Sequence, residues 1–182
     1  MTEIKDNIEK IQSELPSEVT LVAVSKRKPI EDIKMAYDYG ILDFGENKVQ
    51  EFLTKVDELP RDIRWHFIGH LQSNKVRKII GKVSLIHSLD RNSLAKEIQR
   101  ISKEQGIVTN CLIEINIGEE HQKSGITLDA LDNFIEKLKD YDHIKVKGLM
   151  AIIPQGTEEE NRIYFKKMHE LFLKLKEKQS ER

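Results

Sequence analysis

A chain of 182 residues has the length of one domain at about 150 residues per domain, which excludes two independent enzyme domains. Hydrophobic residues make up 38% of it and charged residues 34%, enough for one core under a charged, helix-rich surface and too ordered a composition for a wholly disordered chain. The 30 basic and 31 acidic residues leave a net charge of -1, so no global field draws the chain to nucleic acid or to an anionic membrane.

Ile4, Ile8, Ile11 and Leu15 recur at helical spacing and Pro16 stops that helix, after which Thr20 to Lys26 reads as a short β-branched strand. Pro29 suits a second helix start, with Ile33, Ala36 and Tyr37 as its buried stripe and Gly40 as its left-handed exit before a strand at Ile41 to Gly45. The unit then repeats. Val49, Phe52, Leu53 and Val56 make a helical face before a strand at Arg64 to Gly69, and Val76, Ile79 and Ile80 make the next, ended by Gly81, before Leu85 to Leu89. Leu94, Ile98 and Ile101 form a helix ending at Gly106, followed by a strand at Asn110 to Ile117. Leu131, Phe134, Ile135 and Leu138 form another, followed by Ile144 to Ile153. Thr157 with Glu160 forms a capping box for a last helix bearing Tyr164, Met168, Leu171 and Leu175.

Six strand-helix units of this kind predict parallel strands, because each return to the sheet needs a crossover helix. A doubly wound sheet would carry a glycine-rich turn after its first strand, and the turn here is Ser25-Lys26-Arg27-Lys28-Pro29. A (β/α) barrel has no such requirement, although a complete one has eight strands and about 250 residues. The fold class expected is therefore an α/β barrel with about six of its eight strands.

The chemistry of a parallel barrel lies at the carboxyl ends of its strands. Lys26, Glu46 and Asn47, His66 to His70, Ser88 and Asp90, Asn116 and Gly118, and Met150 occupy those ends in turn. Asp90 reads equally as a helix cap or a ligand. Strand alternation puts Val22, Val24 and Lys26 on one face, so the Lys26 amine is expected above an apolar floor, where desolvation favours the neutral form that Schiff-base chemistry needs. The competing reading makes Lys26, Arg27 and Lys28 a solvated basic loop. His66 and His70 lie in a strand with no carboxylate in a zinc-protease pattern, so no metal site is expected. Cys111 alternates with Ile113, Ile115 and Ile117 and is expected in the core, whereas Glu114 falls on the other face and needs a structural partner. Ser124 with Gly125 reads as a turn. One cysteine also means no internal disulfide and no cysteine-rich zinc site, as suits a reducing compartment. Met1 to Asp6 lacks the apolar core of a signal peptide, and Leu149 to Ile153 is far short of the roughly 18 residues of a membrane span. A cytoplasmic location is expected.

At these residues the sequence resembles the pyridoxal phosphate homeostasis proteins of the YggS/PROSC type. The resemblance rests on Ala23-Val24-Ser25-Lys26, on Phe44-Gly45-Glu46-Asn47 with Gln50-Glu51, and on Trp65-His66-Phe67-Ile68-Gly69 running into Leu71-Gln72-Ser73-Asn74-Lys75. Asn116, Lys123-Ser124-Gly125 and Gly148-Leu149-Met150 extend it over nearly the whole chain.

The resemblance implies one domain, residues 1–182, built as the fold type III barrel found in alanine racemase, with pyridoxal 5'-phosphate (PLP) held as a Schiff base on Lys26. Asn47 and Met150 match positions that line the cofactor pocket, and His66 and Gly69 belong to the same implied binding set. It also implies a monomeric carrier or regulator in vitamin B6 and amino-acid balance without catalytic turnover. Two further strands, carrying a Ser-Met-Gly-Met-Ser type segment and a late Arg-x-Gly segment around the phosphate, belong to the family pattern and have no match in residues 1–182. Weaker PLP binding and self-association through open strand edges are therefore expected. Two alternatives stand beside this reading: a PLP-dependent amino-acid racemase or lyase, and a cofactor-free interaction module made from an open barrel.

Overall fold

The structure, a computed structural model, describes residues 2–119 and 124–180; Lys123 of the Lys123-Ser124-Gly125 motif lies outside them. Helix α1 (Thr2–Glu14) ends just before Pro16, and buries Ile8 while leaving Ile11 exposed. It leads into β1 (Ala23–Val24), which is shorter than the seven residues expected. An edge strand has one neighbour only, and β1 pairs just Ala23 with Phe44 and Val24 with Gly45 of β2 (Asp43–Glu46). Strand ends at Val24, so Lys26 stands in a turn beyond the pleat.

The alternation then runs as expected through α2 (Ile30–Asp38), β2, α3 (Val49–Lys55), β3 (Arg64–Phe67), a 3-10 turn (Ser73–Lys75), α4 (Val76–Ile79) and β4 (Leu85–Leu89). It continues through α5 (Asn92–Gln105), β5 (Thr109–Glu114), α6 (Leu128–Leu138), β6 (Ile144–Met150) and α7 (Glu158–Ser180). All strand pairs are parallel and the spatial order is the chain order, β1 to β6. That order is the barrel rule, in which each crossover helix returns the chain to the next position around the sheet. The edges are β1 and β6. Thr157 and Glu160 form the reciprocal cap expected for α7: the Thr157 N–H donates to Glu160 Oε2 at 2.7 Å and the Glu160 N–H to Thr157 Oγ1 at 3.3 Å.

Register separates the two faces of the sheet, because residues side by side in parallel strands point the same way. Phe44 pairs with Trp65, and both rings meet in one aromatic cluster with Phe52 of α3, so this is the helix-covered face. Phe67, Ile86, Cys111 and Ile113 share it and are almost wholly buried, as are Leu71, Ile79, Leu94, Ile98 and Ile101 from the helices and connections around them. Full burial of each such side chain contributes about 1.5–3 kcal/mol. Cys111 is the core residue its alternation predicts, and burial pushes its thiol up to about 12, out of the range of a nucleophile. Asp43, Gly45, His66, Leu85 and His87 take the opposite, concave face. Val24 on that side is 48% exposed. No described helix is long and apolar enough to cross a membrane.

Candidate functional site

Lys26 is held by its neighbours rather than by its own side chain. Before it, the Ser25 N–H donates to the Gly45 carbonyl at 3.0 Å and the Ser25 hydroxyl to Glu46 Oε1 at 2.7 Å. After it, the Arg27 N–H donates to Glu51 Oε1, and the Lys28 N–H closes the turn on the Ser25 carbonyl at 3.0 Å. Arg27 takes φ +61°, a left-handed conformation that costs a non-glycine residue about 1–2 kcal/mol. The Glu51 carboxylate helps to offset that strain. The Lys26 side chain itself is exposed, which corrects the expectation of an amine on a dry apolar floor: β1 stops two residues earlier and the concave face beside it is open to solvent. Among the described residues its amine has no ion-pair or hydrogen-bond partner.

Behind this turn lies a buried cluster that the sequence did not announce. Lys55, the last residue of α3, is 5% exposed, and its ammonium donates to the Ser25 carbonyl at 2.8 Å, to Glu46 Oε1 at 2.7 Å and to Glu51 Oε1 at 2.7 Å. Glu51 and Lys55 stand four apart on one helix, a spacing that ordinarily marks a surface pair. Glu46, wholly buried, and the turn after β1 close over it. Lys55, together with the Arg27 N–H, holds the Glu51 carboxyl below its ordinary range.

At the ends of β2 and β3 the backbones come close. A Cβ on Gly69 would lie 2.2 Å from the Asn47 carbonyl oxygen, so only glycine lets the β3 exit pass over Asn47. Asn47 Oδ1 is buried with no hydrogen-bond partner among the described residues. An orphaned acceptor at a strand's carboxyl end, beside a free amine at the next, suits a ligand that brings its own donors and an electrophile. Met150, the last residue of β6, pairs with Glu114 at the end of β5 and is half-buried. Glu114 is 4% exposed, and burial pushes its carboxyl above the ordinary range, against a hydrogen bond from Ser124 at 2.7 Å. Ser124 is thus the partner that Glu114 requires, and does more than shape a turn. Gly125, at φ +114° with Asn116 N 2.6 Å from the site of a Cβ, lets this segment lie against β5, where Ile126 pairs with Ile115.

His66 stands deeper on the concave face and both its ring nitrogens are engaged. Nε2 lies 2.9 Å from Asp43 Oδ1 and Nδ1 lies 2.8 Å from His87 Nε2. The Arg64 guanidinium, assisted by His66, holds the Asp43 carboxyl below its usual range. Burial, with His66 adding to it, pushes His87 down to about 4. With the Nε2 proton of His66 given to Asp43, Nδ1 accepts from His87, and the chain Asp43–His66–His87 braces β2, β3 and β4. His66 and His70 do not converge: His70 pairs with Asp90 at 3.3 Å on the rim, where Arg91 also pairs with Asp90. Asp90 is therefore an ion-pair partner, and α5 has no side-chain cap. No three His, Cys, Asp or Glu among the described residues gather as a metal site.

The family described as "Alanine racemase, N-terminal domain" matches residues 1–182. The pyridoxal phosphate homeostasis protein of Aquifex aeolicus is 46% identical over 153 residues, 83% of this chain and 67% of that protein. That of Pasteurella multocida is 37% identical over 185 residues, 97% of this chain and 79% of that one. Among solved structures, PipY of Synechococcus elongatus with PLP bound superposes with a TM-score of 0.87 at 32% identity, covering 96% of this chain and 82% of PipY. An alanine racemase of Clostridium difficile superposes at 0.79 with 13% identity, over 96% of this chain and 48% of the racemase, a likeness of fold alone.

Proposed function

Because this chain belongs to the pyridoxal phosphate homeostasis proteins, built on the alanine racemase N-terminal domain, we propose that it binds PLP on Lys26 and serves PLP and amino-acid homeostasis without catalytic turnover. The observation that carries the assignment is the free, exposed Lys26 amine whose flanking residues are tied down on both sides. PLP supplies an aldehyde that an amine captures reversibly, and a phosphate that adds binding energy. Lys26, exposed at the open face, would hold the cofactor through its amine.

The residues around the amine suit such a ligand. Asn47 offers its unpartnered Oδ1 to a donor on the cofactor, and Gly69 keeps Asn47 in place by leaving room for it. Met150, paired with Glu114 at the ends of β6 and β5, would line the cofactor pocket from that edge of the sheet. His66, with both nitrogens taken inside the protein, contributes by bracing the strands under the site. A single domain spanning residues 1–182, placed in the reducing cytoplasm where one buried thiol is stable, completes the reading.

Spectrophotometric titration with PLP tests it. A saturable visible band that Lys26→Ala removes is the expected result. A band of equal size in Lys26→Ala would place the capture elsewhere.

A further inference from the structure

Lys55 cannot itself be a second capture site, since its three ammonium protons are all given to Ser25, Glu46 and Glu51 and the side chain is 5% exposed. Nor is its burial explained by stability. A buried ion pair seldom outperforms well-packed apolar residues of the same volume, because desolvation offsets most of the attraction. What distinguishes this cluster is the connections it makes. The carboxylate oxygens that hold Lys55 are also the acceptors for the Ser25 hydroxyl and the Arg27 N–H, the residues immediately before and after Lys26. Three segments, the turn after β1, the end of β2 and α3, are joined at one ammonium.

We propose that Lys55 is a positioning residue for Lys26: its ammonium, through Ser25, Glu46 and Glu51, fixes the backbone on both sides of the capturing lysine so that an otherwise unrestrained amine presents in one orientation. This rests on the assignment of Lys26 as the PLP-binding residue. The turn needs such a device for two reasons. Arg27 is held left-handed, and β1 supplies only two paired residues to anchor the Ser25–Lys28 turn. Without the cluster, Arg27 relaxes and Lys26 samples several directions over the rim. Capture of the aldehyde continues, but weakly and without a fixed geometry.

The discriminating variants are Lys55→Met, which keeps the length of the side chain and removes the charge, and Glu51→Gln, which weakens the hold on Arg27 while leaving the Lys55–Glu46 pair. Wild type, both variants and Lys26→Ala are titrated with PLP, reading visible absorbance for capture and visible circular dichroism for fixed orientation, with far-ultraviolet dichroism reporting the fold. Removing hydrogen bonds from a charged group predicts affinity lower by about tenfold or more for Lys55→Met. The visible dichroism per bound cofactor falls to about half or less, and Glu51→Gln shifts both readouts in the same direction by a smaller factor. Wild-type affinity and dichroism in both folded variants would overturn the proposal. If Lys55→Met does not fold, Glu51→Gln decides alone: unchanged values overturn the proposal and the paired loss upholds it. A wild-type signal that survives in Lys26→Ala is a different result, and it defeats the assignment of Lys26 itself.

Discussion

Replacing His87 by Gln probes the concave-face network through its response to acid. Burial holds His87 at about 4 against an ordinary 6.5, so between these values the unfolded chain binds a proton that the folded chain refuses. Stability therefore rises with pH across this window and is lost as pH falls through it. A difference of about 2.5 pH units at about 1.4 kcal/mol each gives about 3 kcal/mol, discounted for the ring's partial contact with solvent to about 2 kcal/mol. Asp43, held low by Arg64 and His66, contributes stability that is lost only as pH falls below its ordinary value of 3.8. Glu114, pushed up by burial, acts in the opposite sense: above 4.5 the folded chain keeps a proton that the unfolded chain has released, so its contribution falls as pH rises. Both groups are present in wild type and variant alike, so the difference between the two proteins isolates His87. Gln keeps an N–H for His66 Nδ1 and cannot titrate. Urea unfolding at pH 7 and pH 4 is the assay. With a slope of about 1–3 kcal/mol/M, the wild-type midpoint should fall by about 1 M more than that of His87→Gln. Parallel loss in the two proteins would refute the reasoning.

Gly69→Ala places a Cβ 2.2 Å from the Asn47 carbonyl, a contact the backbone must move to relieve. The expected cost is about 3 kcal/mol, at the upper end for overpacking, read as a lower urea midpoint together with weaker PLP binding. An unchanged midpoint would show that Asn47 is not pinned by the β3 exit. For an amino acid incubated with the PLP-loaded chain in deuterated water, no exchange of the α-proton above the rate with free PLP is expected by NMR. Enhanced exchange would favour the racemase or lyase reading.

Much of the architecture was legible because the signals were local. Apolar periodicity gave every helix and strand in order, and the Thr157–Glu160 cap formed as its spacing implies. Boundaries were less legible where pairing decides them: nothing in Thr20 to Lys26 says that an edge position will pair only Ala23 and Val24. The early end of β1 also takes Lys26 out of the pleat, so strand alternation does not set its face. The motifs single out Lys26, Asn47 and Gly69 as candidates, but they do not reveal the residues that support them. Lys55 reads as half of a surface pair until Glu46 and Ser25 cover it. Asp43, His66 and His87 sit on three strands, and their alignment is set by register alone. Ser124 meets Glu114 because Gly125 lets the chain lie against Asn116, a closeness invisible in the spacing.

The most direct test of the central claim is a peptide map of the chain after saturation with PLP and reduction with borohydride. The expected result is the mass of the reduced cofactor on the peptide containing Lys26, in about equimolar amount. Mass on Lys28 or Lys48 instead, or spread evenly over the exposed lysines, would contradict it.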